Sequence, residues 1–303
     1  MTAPSSAMPA GAGARGPTGA ANPGDTSGDR GPIGDLLAAA RRETALLVAT
    51  LAIVTLALPT IVALLAETRT LAGLNVWIKP LTCDASVALL LATYAVGFGL
   101  ARADDRRRPA VRVAVGLVVL SAVLEIAYIT LQAARGEASH FNLSSWWEIL
   151  AFQLMGLFAV ILTAGAGVAA ALVWRAGPGR LGTGLWLGLV LGFALSCVLG
   201  IVTGFAIGAN GGHFVAADGA MPANDLGGIP VFGWSREVGD LRVAHFVGLH
   251  VMQVLPFVGW AADRLAPRSS RPVVLVAAVA LTGLTAWALV LAQAGAPVVP
   301  PGW

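Results

Sequence analysis

The 303 residues are 57% hydrophobic and only 12% charged, with a formal net charge of +3. Soluble domains carry about 25% charged residues, and half that share cannot coat a water-soluble globule of this size. An ordinary soluble enzyme and a disordered chain are excluded. The basic residues fall in short scattered clusters, which excludes the basic stripe of a nucleic-acid binder.

In chain order, residues 1–40 are rich in Gly, Pro, Ala and Ser. Such a segment cannot bury a core and is expected to be a disordered cytoplasmic tail. Residues 41–296 form the membrane domain. Seven stretches are long and apolar enough to span a bilayer: approximately 44–66, 83–102, 112–133, 147–174, 181–207, 242–262 and 273–294. Helix is the expected state, because backbone polar groups must be satisfied inside lipid. The expected fold class is therefore all-α, a polytopic bundle of about seven spans. The first span is too long for the apolar region of a signal peptide and lacks a clean small-residue cleavage site. No internal repeat is visible, so an inverted-repeat transporter has no support. Cys83 and Cys197 read as packing thiols.

Arginine sets the expected orientation. Arg15, Arg30, Arg41 and Arg42 precede the first span. The loops after the second, fourth and sixth spans hold a further ten, among them Arg106, Arg107 and Arg108. The positive-inside rule puts that side in the cytoplasm, with the N-terminus in, the C-terminus out and residues 297–303 as a short outer tail. The implied location is a bacterial cytoplasmic (inner) membrane, multi-pass, with the lipid bilayer as first partner. Trp77, Trp146, Trp147 and Trp234 fall near outer span ends, and Trp174 and Trp260 near inner ends, as interfacial belts require.

The four histidines, His140, His213, His245 and His250, all map to the expected outer side. Glu125 lies about nine residues inside the third span, roughly 13 Å deep, and His250 lies at a similar depth in the sixth. A carboxylate inside the bilayer marks a functional site by default. Tyr128 and Gln132 follow Glu125 on one helical face, and Gln253 follows His250. Together they predict an interior polar pocket open to the outside. Imidazole with carboxylate is a ligand set for zinc, iron or copper, which makes Glu125, His140, His213, His245 and His250 the candidate metal ligands. His245 and His250 are about 140° apart on a straight helix, so they are poor partners for one ion. A b-type haem with His250 and His140 or His213 as axial ligands is the alternative cofactor. A third reading leaves the histidines in structural hydrogen bonds, and pairs Glu125 with Arg135 or Arg242. The loop at 208–241 is long enough to be functional. Phe214, Ile229, Val231, Phe232 and Trp234 are expected to anchor it as a lid, while Asp218, Asp225 and Asp240 lack the spacing of a calcium loop.

Four segments carry a family resemblance: NVWIKPLTCDAS at 75–86, EIAYITLQAARGEASHFN at 125–142, GGHFVAADG at 211–219 and GWSREVGDLRVAHFVGLHVMQVLP at 233–256. Over residues 70–260 the chain resembles a group of uncharacterised bacterial polytopic integral membrane proteins that repeat the Trp-x-Lys-Pro, Gln-Ala-Ala-Arg-Gly…Ser-His-Phe-Asn and Gly-Asp-Leu-Arg-x-Ala-His-Phe-x-Gly-Leu-His segments. The resemblance implies roles for Lys79, Glu125, Gln132, Arg135, His140, Asn142, His213, Asp240, Arg242, His245, His250 and Gln253. The chain departs after Pro80, with Thr82 and Cys83 where the group has a lysine and a phenylalanine. The group has no assigned activity, so the resemblance names positions and not a reaction.

The sequence therefore predicts an integral membrane protein with an outer polar pocket of His and Glu that holds a transition metal. It would be a metalloenzyme or oxidoreductase acting on a lipid or small apolar substrate, with Glu125, Gln132, Arg135 and Arg242 in catalytic roles. A haem b electron-transfer protein, and a non-enzymatic transporter, sensor or complex subunit, are the alternatives. Whether it is an enzyme stays open at this point.

Overall fold

The computed structural model describes residues 31–217, 219, 228–229 and 232–299. Residues 1–30 of the expected tail, and Asp218, Asp225 and Val231 of the expected lid, lie outside the described residues. Helix α1 (Gly31–Ala40) occupies the rest of the stretch expected to be disordered, and buries Ala39 and Ala40. It packs on α3, where a side chain at Gly99 would strike the Ala39 carbonyl.

The remaining helices follow in order: α2 (Thr44–Ala66), α3 (Ile78–Gly99), the short α4 (Ala103–Arg107), α5 (Pro109–Arg135), α6 (Trp146–Ala176), α7 (Thr183–Asn210), α8 (Leu241–Leu265) and α9 (Ser270–Gln293). All but α1 and α4 are long and apolar enough to cross a membrane, which gives seven spans among the described residues. The chain is an all-α polytopic membrane protein. Helices α5, α6 and α8 overrun their apolar windows at both ends, and α3 starts before its window, because hydropathy marks the hydrocarbon, not the hydrogen-bonded turns beyond it. Helix α3 shows the effect best. It starts at Ile78, so Lys79 and Pro80 belong to its first turn, where proline is tolerated.

Local signals explain the boundaries. Pro109 opens α5, and Gly136, at φ 76°, ends it, with the Glu137 amide returning to the Gln132 carbonyl at 2.9 Å. Ser145 caps α6 by accepting from the Glu148 amide at 3.3 Å. Between α2 and α3 a two-stranded hairpin pairs β1 (Thr70–Leu71) with β2 (Leu74–Asn75). After α7, β3 (Phe214–Val215) pairs antiparallel with β4 (Gly239–Asp240) and so ties together the two ends of the long loop. Of the residues expected to anchor that loop, Phe232 and Trp234 stack at 4.6 Å and both meet the Phe246 ring edge-on.

The main core is built on small residues. Gly97 leaves room for the Phe193 ring, and Gly165 for Tyr94, whose hydroxyl donates to the Leu162 carbonyl at 2.6 Å. Helices α7 and α8 pack most closely. Gly184, Gly188 and Gly192, four residues apart on α7, face Gly259, Leu255 and Met252 on α8, a spacing that lets two backbones approach. Asp263 of α8 accepts from the Gly184 and Leu185 amides at 2.8 Å each and so caps the start of α7. Outward faces stay apolar, with Leu51, Leu58 and Val62 on α2 and Val276 and Val279 on α9 exposed, as contact with lipid requires.

The arginine-rich end is stitched by two buried carboxylates. Glu43 lies 3.5 Å from Arg112 and 3.8 Å from Arg106. Burial raises its carboxyl above the usual range, and the two guanidiniums pull the other way. Asp105 accepts from Arg175 at 3.1 and 3.2 Å and pairs with Arg108. The Arg175 hydrogen bonds hold its carboxyl below the usual range. These arginines therefore have structural partners as well as a place in the charge asymmetry.

Candidate functional site

At the opposite end, segments far apart in sequence bring together cationic and imidazole side chains. Helix α3 supplies Lys79 from its first turn, the α5–α6 loop supplies His140, and the chain after α7 supplies His213. Lys79 Nζ lies 3.1 Å from His140 Nδ1, and Ser139 Oγ lies 3.1 Å from the same nitrogen. An ammonium only donates. Nδ1 is therefore the acceptor, and the ring proton sits on Nε2, which makes that edge of His140 a hydrogen-bond donor.

Burial pushes the His140 imidazole well below its ordinary value, and the Lys79 ammonium and His213 push the same way. His213 is pushed down to about 4, first by burial and then by Arg242 and Lys79, against an opposing Asp240. Both rings are neutral at pH 7. Between them lies Phe141, whose ring sits 4.8 Å from Phe152 and 5.6 Å from His213. Phe141 has φ 56°, the left-handed region that a bulky residue enters only under constraint. Strain of this kind collects at functional positions.

Arg242 is fixed from two sides. Its Nη2 donates to Asp240 at 2.7 Å and to the Gly233 carbonyl at 2.7 Å. Its guanidinium also lies 4.9 Å from the centre of the Phe214 ring. Asp240 in turn caps α8 by accepting from the Arg242 amide at 3.0 Å.

The deep half of the expected pocket is arranged differently. His245 Nδ1 lies 2.9 Å from Thr203 Oγ1, and that hydroxyl gives its proton to the Leu199 carbonyl at 2.6 Å. His245 therefore donates to Thr203 on α7. His250 Nδ1 lies 3.2 Å from Gln253 Oε1, and Gln253 Nε2 donates to Thr93 of α3 at 3.1 Å. Phe246 packs 4.1 Å from the His250 ring. Glu125 forms no hydrogen bond or ion pair among the described residues, although it lies within electrostatic reach of Cys83. Among the described residues no group of three or more His, Cys, Asp or Glu side chains could hold a metal ion. Glu125, His140, His213, His245 and His250 do not form one ligand set.

The partner expected for Glu125 is taken elsewhere. Arg135 Nη1 donates to Glu148 at 3.0 Å, and Arg242 pairs with Asp240. Tyr128 and Gln132, read from the sequence as sharing the face of Glu125, both reach Glu148 as well, at 2.7 and 2.8 Å. Glu148 is 3% exposed and Gln132 fully buried. The physical reason is that capping by Ser145 sets the first turn of α6 beside the last two turns of α5. Gln132 also donates to the Ala138 carbonyl at 3.2 Å, as does Asn142 at 3.3 Å, so this network holds the loop that carries His140.

Sequence reasoning missed Glu148, Asp84, Glu43 and Asp105. The first had a visible signal in the Ser-x-x-Glu spacing of a capping box. No protein-family model, no curated protein and no solved structure matches the chain.

The neutral state of His213 has a measurable consequence. Its pKa is depressed on folding, so its contribution is fully present above the unfolded value of about 6.5. It is lost progressively as pH falls toward 4, because the unfolded chain binds the proton first. The contribution is about 3 kcal/mol at most. Melting temperature in detergent should stay flat above pH 7 and fall between about pH 6.5 and 4. A His213→Asn variant should flatten that limb, and an unaltered limb would refute the assignment.

Proposed function

We propose that this polytopic membrane protein binds, at its histidine-bearing end, a small amphipathic molecule through a hydrogen-bond-accepting or anionic group. The observation that carries this reading is the Lys79–His140 contact, which fixes a donor on His140 Nε2 beside an ammonium. Lys79 and Arg242 act on His213 as positive charges, and like charges disfavour a metal cation while they favour an acceptor or anion. Phe141, Phe152 and Phe214 give the surroundings an apolar character, which suits a lipid or other apolar body. The His213 imidazole makes no hydrogen bond among the described residues and is neutral, so its unprotonated ring nitrogen is available to accept a hydrogen bond from the bound molecule. The arginine asymmetry supports placing this end on the outer face of a bacterial cytoplasmic membrane.

Solvent extraction and mass spectrometry of the purified protein test the proposal. The wild type should retain an acceptor-bearing amphiphile in near-stoichiometric amount. Lys79→Gln and His140→Phe should each reduce its recovery at least tenfold, equivalent to about 1.4 kcal/mol of binding. Equal recovery from all three proteins would refute it. A stoichiometric transition metal that is lost in His140→Phe would replace it with the metal-centre reading.

A further inference from the structure

A second site lies inside the membrane domain, and the proposed ligand does not enter its argument. Asp84 on α3 is 1% exposed. It sits six residues from the start of its helix, and Thr60 sits six from the end of α2, so both lie roughly 9 Å inward of those ends. Thr60 Oγ1 is 3.2 Å from Asp84 Oδ2 and 3.0 Å from the Leu56 carbonyl, and Asp84 Oδ1 has no hydrogen-bond partner.

Burial and the unpartnered oxygen decide the state of this pair. A hydroxyl has one proton. The hydroxyl can give it either to the Leu56 carbonyl or to Asp84 Oδ2. With the proton on Leu56, the contact with Asp84 needs a second one, and only the carboxyl can supply it. An ionised carboxylate would be buried in the membrane with one hydroxyl donor at most, none at Oδ1 and, among the described residues, no cation, at a cost of several kcal/mol. A neutral acid loses far less, because its one unpartnered atom is then a carbonyl oxygen.

We infer that Asp84 is a proton-binding site within the membrane domain, a neutral carboxylic acid whose Oδ2–H donates to Thr60. The chain Asp84 → Thr60 → Leu56 carbonyl then satisfies both contacts with both protons. The ionisable groups around it are Cys83, its neighbour on α3, and Lys79 on α3 and Glu125 on α5, which with Asp84 act electrostatically on the Cys83 thiol. None forms an ion pair or hydrogen bond with Asp84 among the described residues. No cation therefore competes for the carboxyl, and the ligand of this site is the proton itself.

Infrared difference spectroscopy of the full-length protein in detergent at pH 7, in H2O and D2O, reads the protonated-carboxyl carbonyl stretch directly. The wild type should show a deuterium-sensitive band that Asp84→Asn removes and Glu125→Gln leaves in place. Thr60→Val keeps the acid but deletes its acceptor, so the same band should remain and move to higher frequency. Loss of no band in Asp84→Asn overturns the assignment. Should Asp84→Asn not fold, a Thr60→Val spectrum identical to wild type overturns it equally.

Discussion

Gly259→Leu is expected to abolish assembly of the native bundle. A Cβ at position 259 would fall on the Gly184 carbonyl, and the next nearest atoms are also backbone of α7. Side-chain overpacking is relieved by rotamer shifts at about 1–3 kcal/mol, but two backbones have no rotamers. The helices would have to separate along the face shared by Gly188 and Leu255, which adds lost packing to the steric cost. A destabilisation of about 3 kcal/mol or more is expected, read as loss of the monodisperse peak in size-exclusion chromatography. Gly283→Leu on α9 is the control. Its Cβ meets nothing within 4 Å, so lipid replaces lipid, and the better helix former should raise stability by up to about 1 kcal/mol. Equal behaviour of the two variants would show that the close approach of α7 and α8 is not essential.

Glu148→Gln should lower stability by about 2–3 kcal/mol, or roughly 5–10 °C in melting temperature for a chain of this size. The substitution changes little in shape, yet Tyr128, Gln132 and Arg135 all donate to this carboxylate. A glutamine amide turns one acceptor into a donor that faces other donors. The half-exposed position of Arg135 keeps the loss below that of a fully buried pair. Because Gln132 also holds the Ala138 carbonyl, retention of the amphiphile by the His140 loop should fall in the same variant. Glu137→Gln, at an exposed position with no ion pair among the described residues, should change neither quantity. A Glu148→Gln protein that melts with the wild type would remove the network from any structural role.

The spans were legible because twenty apolar residues in a row have one physical explanation, and the helices found differ from the expected ranges mainly at their ends. The candidate site was legible only in part. One-sidedness of the histidines follows from counting loops, and Lys79, His140 and His213 do converge. Partner choice was not legible. Glu125 and Glu148 are both acidic residues near Tyr128 in sequence or space, and helical periodicity favours the first. The winner is fixed by how α6 enters the bundle, a tertiary fact that the Ser145 cap only hints at. Asp84 was overlooked for a related reason: a lone aspartate near the end of an apolar run reads as an interfacial residue until Thr60 and the buried surroundings are seen.

The cap that Asp263 places on α7 has a mechanical consequence. It joins the α7–α8 pair at the arginine-rich end, Ser196 joins it near the middle by accepting from the Met252 amide and donating to the Leu249 carbonyl, and Thr203 with His245 joins it near the other end. Three polar rivets along two helices with interlocked backbones leave no soft torsion between them. Any working stroke of this protein must carry the two helices together as a single lever, with sliding confined to the side-chain-packed surfaces against neighbouring helices.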